Sequence, residues 1–118
     1  MILFLTVTLL ITASNGCRNS GSQKKTPETQ KEEHAMLKTF GGCEMCKTRI
    51  EKAAQNIDGV SLANWDRDVQ QLHLHFNSKK TSIEAISQVI VKTGHDTELD
   101  RADDEIYAAL PECCKYRK

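Results

Sequence analysis

The chain has no excess of charge: Lys and Arg total 16, Asp and Glu total 16, and neither sign gathers into a long block. The electrostatic footprint of a nucleic-acid binder is therefore missing, and that class of partner is set aside. Proline is scarce. Its two positions, Pro27 and Pro111, both fall outside the region that reads as a folded domain, so no candidate exists for the proline loop that accompanies many thiol–disulfide enzymes. No set of charged, Ser or His residues sits at a spacing that a fold of this size would unite into a catalytic group, so an enzyme is not expected. A bilayer-spanning run is absent as well. The apolar stretch at the start stops by residue 16, short of the roughly 20 residues a spanning helix needs.

What is present begins with that stretch. Residues 1–16 contain no charged side chain and are rich in Leu, Ile, Val and Thr, the profile of a secretion signal. It ends in Ser14-Asn15-Gly16-Cys17, and a polar tract follows at once. Small residues before a cysteine at this point resemble the lipobox of bacterial lipoproteins, with Ser14 where Leu is usual and no basic residue ahead of the apolar run. The resemblance implies cleavage before Cys17, lipidation of that residue, and an address on a membrane of the cell envelope. Residues 17–34 then read as a flexible tether of Ser, Gly, Gln, Lys, Thr and Glu. A chain of that kind spans about 20 Å, at 5–6 Å times the square root of its length.

Residues 35–99 read as the domain. A short extended segment, 35–40, runs into Gly41-Gly42-Cys43-Glu44-Met45-Cys46 and then a helical run with apolar residues at Cys46, Ile50, Ala53, Ala54 and Ile57. Two cysteines spaced i, i+3 across a helix start lie on one side of it, near enough to share a soft metal ion or to form a disulfide. Unpaired amides at the helix N-terminus favour thiolate there. Asp58-Gly59 predicts a turn, 60–65 and 69–76 predict two strands joined at Asp66-Arg67-Asp68, and Ser82 predicts the cap of a second helix ending at Gly94. In the second of these strands Leu72, Leu74 and Phe76 alternate with His73 and His75, which places both histidines on the solvent side, free to chelate a metal or simply to be solvated. Residues 95–99 read as a last strand. The order is that of an α+β, ferredoxin-like βαββαβ sandwich: a four-stranded antiparallel sheet with two helices on one face. Residues 100–118 add a short helix, 102–110, and a tail carrying Cys113-Cys114.

A CxxC motif between the first strand and first helix of this pattern resembles the heavy-metal-associated domain, found in copper chaperones, mercury carriers and the N-terminal modules of metal-exporting ATPases. The likeness rests on Cys43, Cys46, Ile57-Asp58-Gly59-Val60, Leu72/Leu74/Phe76 and Thr93-Gly94-His95. It implies that Cys43 and Cys46 hold a soft ion, Cu(I) first and Hg(II), Zn(II) or Cd(II) as alternatives, and pass it to a metal-exporting ATPase or another envelope carrier. The family usually reads Gly-Met-Thr or Gly-Met-Ser before its first cysteine; this chain reads Phe40-Gly41-Gly42, leaving Phe40 or Met45 to support the loop. His95 stands where relatives carry Tyr, Phe or Lys, and reads as a third ligand, a donor to thiolate, or a surface histidine. Met36 and Met45 read as packing residues. Cys113 and Cys114 either join the CxxC as further ligands or form a separate thiol pair. Two other readings stay open: a membrane-tethered thiol–disulfide exchange protein, and an interaction module whose cysteines are incidental.

Overall fold

The computed structural model describes residues 31–118; the signal, Cys17 and most of the expected tether lie outside them. Strand β1 (Glu32–Lys38) leads into helix α1 (Glu44–Gln55), followed by β2 (Val60–Asp66), β3 (Gln71–Asn77), α2 (Ile83–Val91) and a single turn, α3 (Asp104–Ala108). A 3-10 turn, Glu112–Cys114, closes the order. The strands pair antiparallel as β1-β3-β2. Alternation along β3 works as the sequence implies. Leu72, Leu74 and Phe76 are buried, against Ile50 and Ala54 of α1 and Ile86 and Ile90 of α2, while His73 and His75 stand on the opposite face. Each large apolar side chain in this layer contributes roughly 1.5–3 kcal/mol by leaving water. Ser82 caps α2 as its residue type predicts, its hydroxyl accepting from the Ala85 amide at 3.2 Å.

Four details differ from the sequence reading. First, β1 starts at Glu32, so the last three residues of the expected tether are strand: each of Glu32, Glu33 and His34 has a partner across the ladder in Asn77, Phe76 and His75. Second, β3 starts at Gln71 rather than Val69. The Asp66 carboxylate accepts from the Asp68 and Val69 amides, and Gln70 takes a positive φ of 57°, which lengthens the turn. Third, among the described residues the sheet has three strands, and the expected fourth is reduced to one bridge, Thr39 to Thr97. The ladder begins, with Phe40 N donating to Asp96 O and Glu98 N to Lys38 O. It stops because the Lys38 amide is taken by the Glu98 carboxylate and because Thr97 Oγ1 accepts from the Leu99 and Asp100 amides, turning the chain away. Fourth, the nine-residue helix expected over 102–110 is the five-residue α3, with Ala102 and Leu110 buried on either side of it.

Candidate metal centre

The first two thiols are placed by the strand-to-helix turn. Cys43 caps α1 in extended backbone (φ −153°, ψ 176°) without spending its side chain on the cap, and its Sγ lies 3.4 Å from Cys46 Sγ. Cys46 is fully buried, and its sulfur accepts from the Gly42 amide at 3.3 Å. The loop rests on Trp65, whose Nε1 donates to Thr39 O at 2.9 Å. A Cβ on Gly41 would stand 2.9 Å from Cys46 Cβ and 3.0 Å from the Trp65 ring, so only glycine lets the loop settle on the indole. Gln70, in its left-handed conformation, accepts from the Gly41 amide through Oε1 at 2.9 Å. Trp65 and Gln70 thus support the loop from below, while Phe40 ties it to Asp96 and His95 through its backbone and Met45 stands exposed.

The tail supplies the rest. Cys113 and Cys114 come back over the loop, and Cys43 Sγ lies 3.3 Å from each of their sulfurs. Cys113 and Cys114 are 3.8 Å apart, and the three sulfurs of Cys43, Cys113 and Cys114 fall within 4.8 Å of one another. Metal–sulfur bonds of about 2.3 Å around a tetrahedral ion place sulfurs nearly 3.8 Å apart, so these separations suit one thiolate-held ion with little adjustment. The four cysteines among the described residues are free thiols. Arg49 donates to Cys114 Sγ at 3.4 Å, bringing a cation to a site that gathers negative charge. Met45, expected to pack, is half exposed with its sulfur 3.6 Å from Cys113 Sγ; Met36 is likewise exposed.

A polar clasp keeps the tail down. Tyr116 Oη accepts from the Asp96 amide at 2.7 Å and donates to Gly94 O at 2.8 Å. Arg117 forms a two-pronged pair with Asp96, Nε to Oδ2 at 3.0 Å and Nη2 to Oδ1 at 2.7 Å, and lies 4.2 Å over the Tyr107 ring. Burial raises the Asp96 carboxyl, but Arg117 outweighs it and holds the group below its ordinary range.

The sulfurs divide the charge unevenly. Desolvation opposes ionisation of Cys43, yet hydrogen bonds from Cys113, Cys114 and Cys46 prevail and lower it to about 6. Cys46 is pushed up to about 12 by burial and by Cys114; Cys113 is raised to about 11 by its bond to Cys43. Cys43 is therefore the resting thiolate, with Cys46 and Cys113 protonated around it. A soft cation entering the cluster displaces those protons.

His95 is neither at the surface nor among the mutually close donor atoms of the cluster. It is fully buried, stacked on Tyr116 at 5.6 Å, and its Nδ1 donates to Phe40 O at 2.9 Å. Burial, with Arg49 nearby, lowers its pKa, so the ring is neutral and serves to join the loop to the tail. Sequence reasoning missed Trp65, Gln70, Tyr116 and Arg117. The one signal available was an aromatic and an arginine placed just after the terminal cysteine pair.

A thiolate cluster at the strand-to-helix turn of a ferredoxin-like layer defines a class: small domains that carry soft metal ions. Residues 42–96 match the family model of the heavy-metal-associated domain. Over 56 residues it is 27% identical to the copper chaperone CopZ of Staphylococcus haemolyticus, covering 48% of this chain and 82% of that protein. The Staphylococcus epidermidis CopZ is 29% identical over the same length and shares. Among solved structures, a CopZ metallochaperone is 27% identical with a TM-score of 0.54, covering 55% of this chain and 98% of that one. The N-terminal domain of a potential copper-translocating P-type ATPase from Bacillus subtilis, solved in its Cu(I)-loaded state, is 28% identical with a TM-score of 0.55, covering 64% and 95%.

Proposed function

We propose that this protein binds one soft metal ion, Cu(I), and carries or sequesters it at the cell envelope. The observation that carries this reading is the convergence of Cys113 and Cys114 on Cys43, 3.3 Å from each, beside Cys46 at 3.4 Å. Cys43 and Cys46 of the CxxC are the primary ligands, and Cys113 and Cys114 of the tail add sulfur to them. Thiolates select Cu(I) by softness and accept Hg(II), Cd(II) and Zn(II). Kinship with copper chaperones and with a copper ATPase module supports copper as the cargo and an exporting ATPase, or another envelope carrier, as the partner. A tail that adds sulfur slows release, which suits storage or controlled handover. The protein is a carrier, not an enzyme. In this reading Cys17 is the lipidated N-terminus, and mass spectrometry of membrane-extracted protein shows an acylated cysteine there; a free Cys17 thiol would refute the anchor.

The test is Cu(I) competition with a chelator under anaerobic reduction, for the full chain, the chain ending at Leu110, and a Cys113→Ser/Cys114→Ser variant. The full chain shows three or four sulfurs by X-ray absorption, and both variants show two with affinity lower by about tenfold or more. Equal affinity and sulfur number in all three would remove the tail from the site.

A thiol-exchange function keeps one specific support, the lowering of Cys43 to about 6 beside a buried Cys46. It requires a CxxC potential in the range of about −120 to −270 mV and no Cu(I) affinity in the full chain.

A further inference from the structure

The sheet's outer face, turned away from both helices, carries a second set of converging donor atoms. His34 of β1 and His75 of β3 are directly opposite in the ladder, and their rings stack with centroids 3.7 Å apart and planes 15° from parallel. Glu32, two residues before His34 and so on the same face, brings its Oε1 to 3.4 Å from His75 Nδ1. One donor atom from each of the three lies within 4.8 Å of the others. From this juxtaposition we infer that Glu32, His34 and His75 form a second metal site, for a borderline divalent cation of the Zn(II) type, chemically separate from the thiolate centre.

The surroundings look built for it. Between Val60 and Leu62 the pairing of β2 with β3 slips by one residue, and Ser61 is the extra residue. Such a bulge re-aims a side chain. Here it brings Ser61 Oγ to 3.2 Å from Glu32 Oε1 and to 3.2 Å from the His75 carbonyl, which orients the carboxylate toward the imidazoles. Outer-shell bonds of this kind are how proteins fix metal-ligating carboxylates. Two imidazoles and a carboxylate leave a fourth position open, an arrangement that Zn(II) accepts readily. Stacked rings aim their nitrogens side by side, so an ion is held only after one imidazole rotates about its χ angles out of the stack and the donors, now within 4.8 Å, close to bonds of about 2.0–2.2 Å, a change that an exposed face permits. A thiophilic ion such as Cu(I) or Ag(I) gains nothing here, and once it fills the thiols the imidazoles and carboxylate are the donors left for Zn(II). The two sites also lie at opposite ends of β1: Glu32 opens the strand, and the loop holding Cys43 follows its end.

The test uses the full chain with its thiols first occupied by Ag(I), then titrated with Zn(II) by calorimetry and by NMR of the histidine rings. One Zn(II) binds, and the His34 and His75 resonances move. His34→Gln and His75→Gln, which remove ligands, each weaken binding by at least the ~10–100-fold that loss of an outer-shell partner costs. Ser61→Ala weakens it less, and His73→Gln, on the same face but outside the constellation, leaves it unchanged. These residues are at the surface, so folding is monitored by the unchanged Ag(I) stoichiometry. Undiminished Zn(II) affinity in His34→Gln would overturn the inference. So would an equal loss in His73→Gln and His75→Gln, because the face's histidine content, and not this site, would then be binding. A Zn(II) affinity that follows the cysteines but not the histidines would assign the ion to sulfur and reject the second site.

Discussion

The loop end of the domain and the outer face of its sheet make opposite use of the same strand. At the end of β1 a half-buried thiolate is flanked by sulfur, with Cys46 and Cys114 fully buried, Cys113 exposed, and a tail clasped over it; along β1 itself, Glu32 and His34 stand exposed. The enclosed site is made by contacts between residues about seventy positions apart, and it exists only while the tail is docked. The open site is made by ladder register, which the strands hold whether or not anything binds. Closure favours retention of an ion, and openness favours exchange with solvent.

Substituting Cys43 separates the two regions most sharply. Cys43→Ser removes the sulfur that touches all three others, so soft-metal uptake is abolished while Zn(II) binding at the histidines is retained; a competition titration for each ion reads both. Next in size is Arg117→Ala. Hydrogen bonds to charged groups are worth about 1.5–3 kcal/mol each, and loss of the clasp should speed Cu(I) release in a stopped-flow chelator assay by about tenfold or more. The histidine site should not respond.

Acid should act on the enclosed region in two stages. Cys43 ionises at about 6 instead of the ordinary 9.0, so the bonds favouring its thiolate are fully present above the ordinary value and are lost as pH falls through about 6. Alkylation of Cys43 therefore follows a midpoint near 6, while Cys46 stays protonated through neutrality. Asp96, held below its ordinary range by Arg117, keeps the tail docked until the pH falls below about 4. Hydrogen exchange of the Asp96 amide, which donates to Tyr116, reports that release. The smallest effect is Ser82→Ala, which loses the α2 cap and about 1 kcal/mol of stability by urea unfolding, and leaves both metal regions as they were.

Much of this was legible in the chain because it is local. The i, i+3 cysteines, the Ser82 cap, the glycine after α2 and the period-two pattern of β3 each follow from neighbours a few residues away. What escaped depends on side chains standing in for backbone. The fourth strand fails because the Glu98 carboxylate occupies an amide that a strand would have used, and no periodicity reveals that. The tail's path is set by Arg117 with Asp96 and by Tyr116 with Gly94, pairings that nothing in spacing specifies. His95 falls in the same class: its position after Gly94 was visible, but its burial depends on Tyr116 arriving from the far end of the chain.

Gly42 leaves the loop open to the tail. Relatives of this fold usually carry Thr or Ser just before the first cysteine, and here a Cβ at that position would stand 3.0 Å from the Cys113 carbonyl oxygen. Side chain and tail compete for one space, so a terminal Cys-Cys segment grafted onto an ordinary heavy-metal-associated domain would meet a threonine where this chain leaves a gap. The bare loop and the sulfur-bearing tail thus fit as one unit: any side chain at position 42 shifts the tail backbone that carries Cys113.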